Sequence, residues 1–311
     1  MDEPAGHANV DRGGVGEEDR LPYGLQPLAG GYSGETFLAE AAGQQTVVRI
    51  YSGRGARRGQ DAVQVDAALL RLVRGLVPVP EVLEVRLPDR GRPGVLVTSL
   101  LPGQRLDEVL PTLGADDLTT VGTAAGRIVA TLATIPQPRA GMFRSSDLQV
   151  EAFDLGDLGD WLDRNGLGWP ADELSALREV LDRAQDVLDL VDRVSLVHSD
   201  FNPKNVLVDP ERLQVTGLLD WEFAHAGSPY ADLGNLLRFE RHPAFTDAVL
   251  TAYVDRTPPA PAPVLDLARA ADLYALIELA GRLGENPVAA RADGLLHAIA
   301  RTGDLHASAP G

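Results

Sequence analysis

Leu196-Val197-His198-Ser199-Asp200-Phe201-Asn202-Pro203-Lys204-Asn205-Val206-Leu207 is the stretch on which the fold turns. Residues 195–197 and 206–208 read as short strands, so the polar run between them is a loop. A loop that leaves a strand can hold a carboxylate, here Asp200, beside an attacking hydroxyl. Five residues on, Asn205 can turn its amide oxygen toward a cation. A further strand, residues 215–219, runs into Asp220, twenty residues after Asp200. Its carboxylate is the hard oxygen ligand that magnesium prefers. One base, one amide ligand and one carboxylate ligand are the parts that phosphoryl transfer needs, because catalysis there is mainly positioning and charge neutralisation. Taken singly, each residue also suits a turn or a helix cap. The three at this spacing point to chemistry.

The composition sets the frame for that loop. The 311 residues suffice for one large domain or two lobes, and 44% hydrophobic content predicts a packed body. There is no apolar run long enough to span a membrane, and the acidic start Asp2-Glu3 lacks the apolar core of a signal peptide. Cysteine is absent, which removes disulfides, thiolate metal sites and a cysteine nucleophile, and fits a cytoplasmic protein. The net charge of −17 repels nucleic acid; general solubility accounts for it first, and it would also suit a polycationic substrate.

Upstream of the loop the pattern is β-rich. Residues 1–20 are glycine-rich and acidic and read as a disordered leader. After the cluster Gly30-Gly31-Tyr32-Ser33-Gly34, strands are expected at residues 36–39, 46–51, 82–86 and 95–100. A helix over residues 60–73 carries Val63, Ala67 and Leu70 at helical spacing. Between strand and helix, residues 53–59 form a basic, glycine-rich loop. From residue 104 the pattern turns helical, with helices expected over 116–135, 172–194, 230–239, 244–253 and 265–283. The fold class is therefore α+β and bilobal. Residues 21–103 form a small N-terminal nucleotide-binding lobe ending in a hinge, 104–302 a larger helical lobe for catalysis and acceptor binding, and 303–311 a frayed tail.

The quoted stretch, with Gly217-Leu218-Leu219-Asp220-Trp221-Glu222-Phe223-Ala224 and Gly227-Ser228-Pro229-Tyr230-Ala231-Asp232-Leu233, resembles the aminoglycoside phosphotransferase and choline kinase-like family, which shares the protein-kinase fold. The resemblance covers about residues 25–285. It implies ATP, with GTP as an alternative, and Mg2+ as cofactors, with Asp200 as catalytic base and Asn205 and Asp220 as metal ligands. It also implies that Gly31, Tyr32, Ser33 and Gly34 cover the nucleotide phosphates through backbone N–H groups, which approach closely at the glycines because no Cβ intervenes there. Arg49 takes the place of the lysine that grips the phosphates, with Asp66 on the following helix as its acidic partner. Ser99 and Leu101, at the hinge Val97-Thr98-Ser99-Leu100-Leu101-Pro102-Gly103, would hold adenine through backbone groups. His198 and Asp232 take supporting places around the loop. Lys204 could contact phosphate or point to solvent. One departure is Ala133, at the end of Val129-Ala130-Thr131-Leu132-Ala133, where the family pattern often ends in histidine.

Only eight residues lie between Asp220 and Pro229 and no Ala-Pro-Glu follows, so the long activation segment of a protein kinase is missing. A small-molecule hydroxyl acceptor is favoured. Residues 147–163 are acidic and carry Trp161, a combination that can bind ammonium groups by charge and cation–π contact. Asp154, Asp157 and, on a later helix, Glu278 are the candidate acceptor carboxylates. The expected acceptor is an amino-bearing antibiotic or related metabolite. A macrolide, an amino sugar, an amino alcohol and a nucleoside are the alternatives, and a non-catalytic nucleotide-binding protein is the reading from another class. The chain is expected to act as a monomer or homodimer without nucleic-acid or membrane partners.

Overall fold

A computed structural model describes residues 26–27, 36–41, 43–52, 58–153 and 156–309. The expected leader, the glycine cluster with Gly31, Tyr32, Ser33 and Gly34, and Asp154 lie outside these residues.

The N-terminal lobe is one antiparallel sheet of β1 (Gln26–Pro27), β2 (Thr36–Ala41), β3 (Gln44–Tyr51), β4 (Val82–Arg86) and β5 (Gly94–Ser99), in the order β1-β2-β3-β5-β4. β3 lies centrally because its β-branched run Thr46-Val47-Val48 suits a strand paired on both edges. Helix α1 (Ala62–Val73) crosses from β3 to β4 and buries Val63, Ala67 and Leu70, the residues at helical spacing. Gly94 permits that packing: a Cβ there would lie 2.3 Å from a Val63 methyl.

The N-terminal lobe is fastened to the second lobe ahead of β4 and again at the hinge. Leu218 N–H donates to the Pro78 carbonyl at 2.8 Å, and the Thr216 hydroxyl donates to the Pro102 carbonyl at 2.6 Å. Beyond it come β6 (Gln104–Arg105), the single-turn α2 (Leu106–Val109) and the long α3 (Ala115–Ala133), whose first turn carries Asp116 and Asp117. Next are a hairpin, β7 (Gly141–Arg144) with β8 (Gln149–Ala152), and the helices α4 (Leu158–Asn165) and α5 (Ala171–Leu188). The chemistry-bearing region follows on β9 (Ser195–Val197), β10 (Val206–Asp209), β11 (Gln214–Leu218) and β12 (His225–Gly227). Helices α6 (Ala231–Leu237), α7 (Pro243–Val254), α8 (Val264–Ala280) and α9 (Pro287–Thr302) complete the lobe.

The expected bilobal α+β architecture is therefore the observed one. The structure adds the β7–β8 hairpin, α4 and α9, and ends α5 at Leu188 rather than near residue 194, where the chain turns to enter β9. A correction concerns the tail. The Ala307 carbonyl accepts from Arg241 at 3.2 Å, and His306 meets Asp266 at 2.9 Å. Leu305, Ala307 and Ala309 pack on a core formed by α4, α5, α8 and α9, so residues 303–309 are folded back onto the body.

Candidate active site

The candidate site is built where β9, β10 and β11 end. Asp200 lies in the β9–β10 loop and Asp220 just beyond β11. Several cross-links fix these segments against one another. His198 is fully buried and bridges them: one ring nitrogen meets the Leu219 carbonyl at 2.9 Å, and the other accepts the Asp200 N–H at 3.3 Å. The second contact requires an unprotonated Nδ1, so the proton sits on Nε2 and is donated to Leu219. Burial depresses the imidazole pKa to about 4, which keeps it neutral. The Leu219 N–H also donates to the Asn205 carbonyl at 2.9 Å.

Asp232, at the start of α6, shapes the loop from below. Its two carboxylate oxygens accept the N–H groups of His198 and Ser199, each at 2.8 Å. Burial pushes this carboxyl up to about 7 even though both N–H groups favour the ionised form. Ser199 has φ 71°, a left-handed conformation that is costly for serine. The clamp on its N–H, together with a 3.2 Å bond from Asn235 Nδ2 to its carbonyl, holds it there. Helix α6 can approach α8 closely because residue 234 is glycine; a Cβ there would lie 2.1 Å from the Ala268 carbonyl oxygen.

Asp200 itself is oriented from two sides. Asn202 Nδ2 donates to Oδ1, and Asn205 Nδ2 donates to Oδ2 at 2.7 Å and to the Asp200 carbonyl at 2.8 Å. Lys204 Nζ stands 3.6 Å from Oδ2. Burial raises the Asp200 pKa, opposed by Lys204 and Asn205. A carboxylate moved in that direction is the stronger proton acceptor. Asn205 spends its amide nitrogen on Asp200, which leaves the amide oxygen as its remaining acceptor. Asp220 also adopts a left-handed conformation, φ 63° and ψ 63°, and keeps 39% of its side chain exposed.

From the N-terminal lobe, Arg49 on β3 reaches across to this pair of segments. Its Nη1 lies 3.2 Å from Asp220 Oδ1, and its Nη2 donates to Glu222. Glu222 is a site residue that the sequence reading did not single out, although it stands two residues after Asp220 in the quoted motif. Asp66 is not the hydrogen-bonded partner of Arg49, which corrects the expected pairing. It is buried and accepts from Tyr51 at 2.6 Å and, bidentately, from Arg58 at 2.8 and 2.7 Å. Arg58, eight residues before Asp66, takes both of its carboxylate oxygens, while the Arg49 guanidinium is turned to Asp220 and Glu222.

The remaining candidates divide by location. Ser99 closes β5 and exchanges two 2.9 Å bonds with Glu81, one from each backbone N–H. Leu101 lies in the hinge against Gly217, where an added Cβ would stand 2.8 Å from its side chain. Asp157 caps α4, accepting the Asp160 N–H at 2.7 Å, and Glu278 pairs with Arg282 on the surface. Neither is hydrogen-bonded to the Asp200 loop. They do share a flank, since Trp161 Nε1 on α4 donates to the Tyr274 carbonyl on α8 at 2.8 Å. Between that flank and Asp200 lies a feature missed in the sequence, a buried ion pair in which Arg238 binds Asp272 through contacts of 2.7–3.1 Å. Among the described residues no cluster of three or more acidic or histidine side chains is placed to hold a metal by itself. The Asn205 amide oxygen and the Asp220 carboxylate are oxygen donors of the kind that a magnesium ion accepts when it arrives with phosphate oxygens already in its shell.

Comparisons with known proteins identify the family and the fold. The model of the family described as "Phosphotransferase enzyme family" matches residues 24–267. Streptomycin 3''-kinase of Streptomyces griseus is 30% identical over 230 residues, covering 70% of this chain and 81% of that protein. Mouse acyl-CoA dehydrogenase family member 10 is 26% identical over 234 residues; the match takes in 71% of this chain but spans only 21% of the mouse protein. Among solved structures, the GDP complex of aminoglycoside 2'-phosphotransferase-IIIa superposes with a TM-score of 0.66 at 17% identity, covering 90% of this chain and 93% of that one.

Proposed function

The chain belongs to the phosphotransferase enzyme family, and from that premise we propose that it transfers the γ-phosphoryl group of ATP to a hydroxyl of a small molecule, with Asp200 as the base. The observation that carries this reading is the convergence of Asp200, Asn205 and Asp220, locked together through His198 and the Leu219–Asn205 bond, with Arg49 facing them from the other lobe. The acceptor hydroxyl approaches Asp200. As its oxygen bonds to phosphorus, its proton passes to the carboxylate, and the bond from phosphorus to the leaving diphosphate oxygen breaks. Magnesium, when bound, neutralises the phosphate charge that builds during transfer. Asn205 and Asp220 would hold it, and Asp232, His198 and Asn202 keep the base in place. Arg49 binds the phosphates, which requires its guanidinium to exchange carboxylate contacts for phosphate ones. Ser99 and Leu101 present the hinge backbone to the base of the nucleotide. ATP is the expected donor, and the GDP bound to the 2'-phosphotransferase neighbour keeps GTP as the alternative.

The acceptor is proposed to be an amino-bearing antibiotic or related metabolite. The relative named as a streptomycin kinase supports this, as does the acidic flank of α4 and α8 with Asp157 and Glu278. The test is ADP release with MgATP across aminoglycosides, macrolides, amino sugars and amino alcohols, in wild type and Asp200→Asn. Turnover with one of these acceptors that falls by at least a hundredfold in the variant is expected. Equal turnover in the two proteins would remove Asp200 from its role.

A further inference from the structure

Arg49 occupies the place of the phosphate-gripping residue, yet α1 gives it no hydrogen bond: Asp66, the acid on that helix, binds Tyr51 and Arg58 instead. The position of the guanidinium must therefore be set in some other way. Residues 49 and 51 of β3 point to the same face of the sheet, because strand side chains alternate. The Arg49 guanidinium carbon lies 5.4 Å from the centre of the Tyr51 ring, within cation–π range. Tyr51 is 4% exposed, and its hydroxyl donates to Asp66 at 2.6 Å. Asp66 is 3% exposed and is gripped by both Nη atoms of Arg58. Arg49 Nε is buried without a hydrogen-bond partner. Among the described residues, and apart from its ion pairs with Asp220 and Glu222, which phosphates would replace, the Tyr51 ring is the contact that supports this guanidinium.

We propose that Tyr51 is the positioning residue for Arg49, its ring serving as the platform on which the guanidinium rests and its hydroxyl tying that platform through Asp66 to Arg58. This rests on the reading of Arg49 as the phosphate-binding residue. The helix acid then acts on the cation through an aromatic ring and not by direct pairing. A direct pair would have to be dismantled or shared when phosphate arrives. A ring keeps its hold while both Nη atoms change partners, because its attraction for the cation occupies none of the guanidinium's N–H donors. Arg58 is part of the same device, since without it Asp66 would be a buried carboxylate with no cation hydrogen-bonded to it.

Calorimetric titration of MgATP into wild type, Tyr51→Phe, Tyr51→Leu, Arg49→Ala and the double variant Tyr51→Leu/Arg49→Ala tests this, with thermal melts to confirm folding. Tyr51→Phe keeps the ring and the packing but cuts the tie to Asp66, so MgATP should bind about threefold more weakly. Tyr51→Leu removes the platform, and about tenfold weaker binding is expected. In the Arg49→Ala background the same leucine change should add less than twofold. A purely packing role for Tyr51 would give equal losses with and without Arg49, and that result would overturn the proposal. So would MgATP binding at wild-type strength by folded Tyr51→Phe and Tyr51→Leu proteins when Arg49→Ala binds weakly. Unchanged binding by Arg49→Ala would instead refute the phosphate-gripping role of Arg49, and the platform with it.

Discussion

Replacing Asp232 separates the support of the Asp200 loop from the chemistry proposed for it. The Asp232 carboxylate accepts two backbone N–H groups, from His198 and Ser199, in a fully buried setting. Truncation to alanine leaves both donors without a partner, at about 1–3 kcal/mol each. A loss of about 2–6 kcal/mol is expected, a large part of the 5–15 kcal/mol typical of a folded domain. Asp232→Asn keeps one acceptor oxygen, so it should lose roughly half as much. Ser199, held at φ 71° by this clamp, is then free to relax, and turnover should fall with stability even though Asp232 touches no substrate. The pH dependence gives an independent check. Burial raises the carboxyl from 3.8 to about 7, so between those values the folded chain holds a proton that the unfolded chain has released. Its contribution to stability is present at low pH and is lost as pH rises toward 7. Asparagine does not titrate, so the variant should trail wild type by about 3 kcal/mol more at pH 5 than at pH 8. Urea denaturation of both proteins across that range measures the gap. A constant gap would show that Asp232 does not titrate within the fold. An alanine variant within 1 kcal/mol of wild type at every pH would refute the clamp itself.

Two further perturbations probe the scaffold under the loop. Asp272→Ala strands the buried Arg238 guanidinium and should cost about 3–5 kcal/mol, whereas Arg238→Met with Asp272→Leu should restore most of that; the urea midpoints of the three proteins decide it. Gly234→Val places a Cβ 2.1 Å from the Ala268 carbonyl oxygen and should lower stability by about 1–3 kcal/mol together with turnover, while Gly168→Ala, with open space around it, should leave both nearly unchanged in the same melts and assays.

The parts of the site that could be read from sequence are those whose spacing is set by local chain geometry. Asp200 and Asn205 lie in one loop, and Asp220 follows the next strand pair, so short-range spacing carries their relation. Asp66 shows where this stops. Its partner depends on which of two arginines can reach it, and Arg58 comes from a loop whose path the sequence does not specify. The acidic residues around α4 stand out in sequence by number and closeness, but not by the local contacts they also make: Asp157 caps a helix and Asp163 pairs with Arg178. The β7–β8 hairpin has four-residue strands, too short for a clear alternation. Helix α9 did carry a readable start, Asn286-Pro287, with Asn286 accepting the Ala289 N–H, and a glycine stop at Gly303. The Arg238–Asp272 pair joins the residue just past α6 to α8, 34 positions apart in sequence, and no periodicity announces it.

The left-handed backbone at Asp220 has a consequence for how this position tolerates mutation. With φ 63° and ψ 63°, it lies where a Cβ is penalised by about 1–2 kcal/mol, and where aspartate and asparagine are the side chains most readily accommodated. Charge and conformation thus select the same residue for separate reasons. An alanine replacement would merge a lost carboxylate with a distorted turn, and its phenotype would be uninterpretable. Asparagine changes the charge alone. Glycine relieves the turn while emptying the site. Comparing those two variants therefore separates what the carboxylate does from what the bend does.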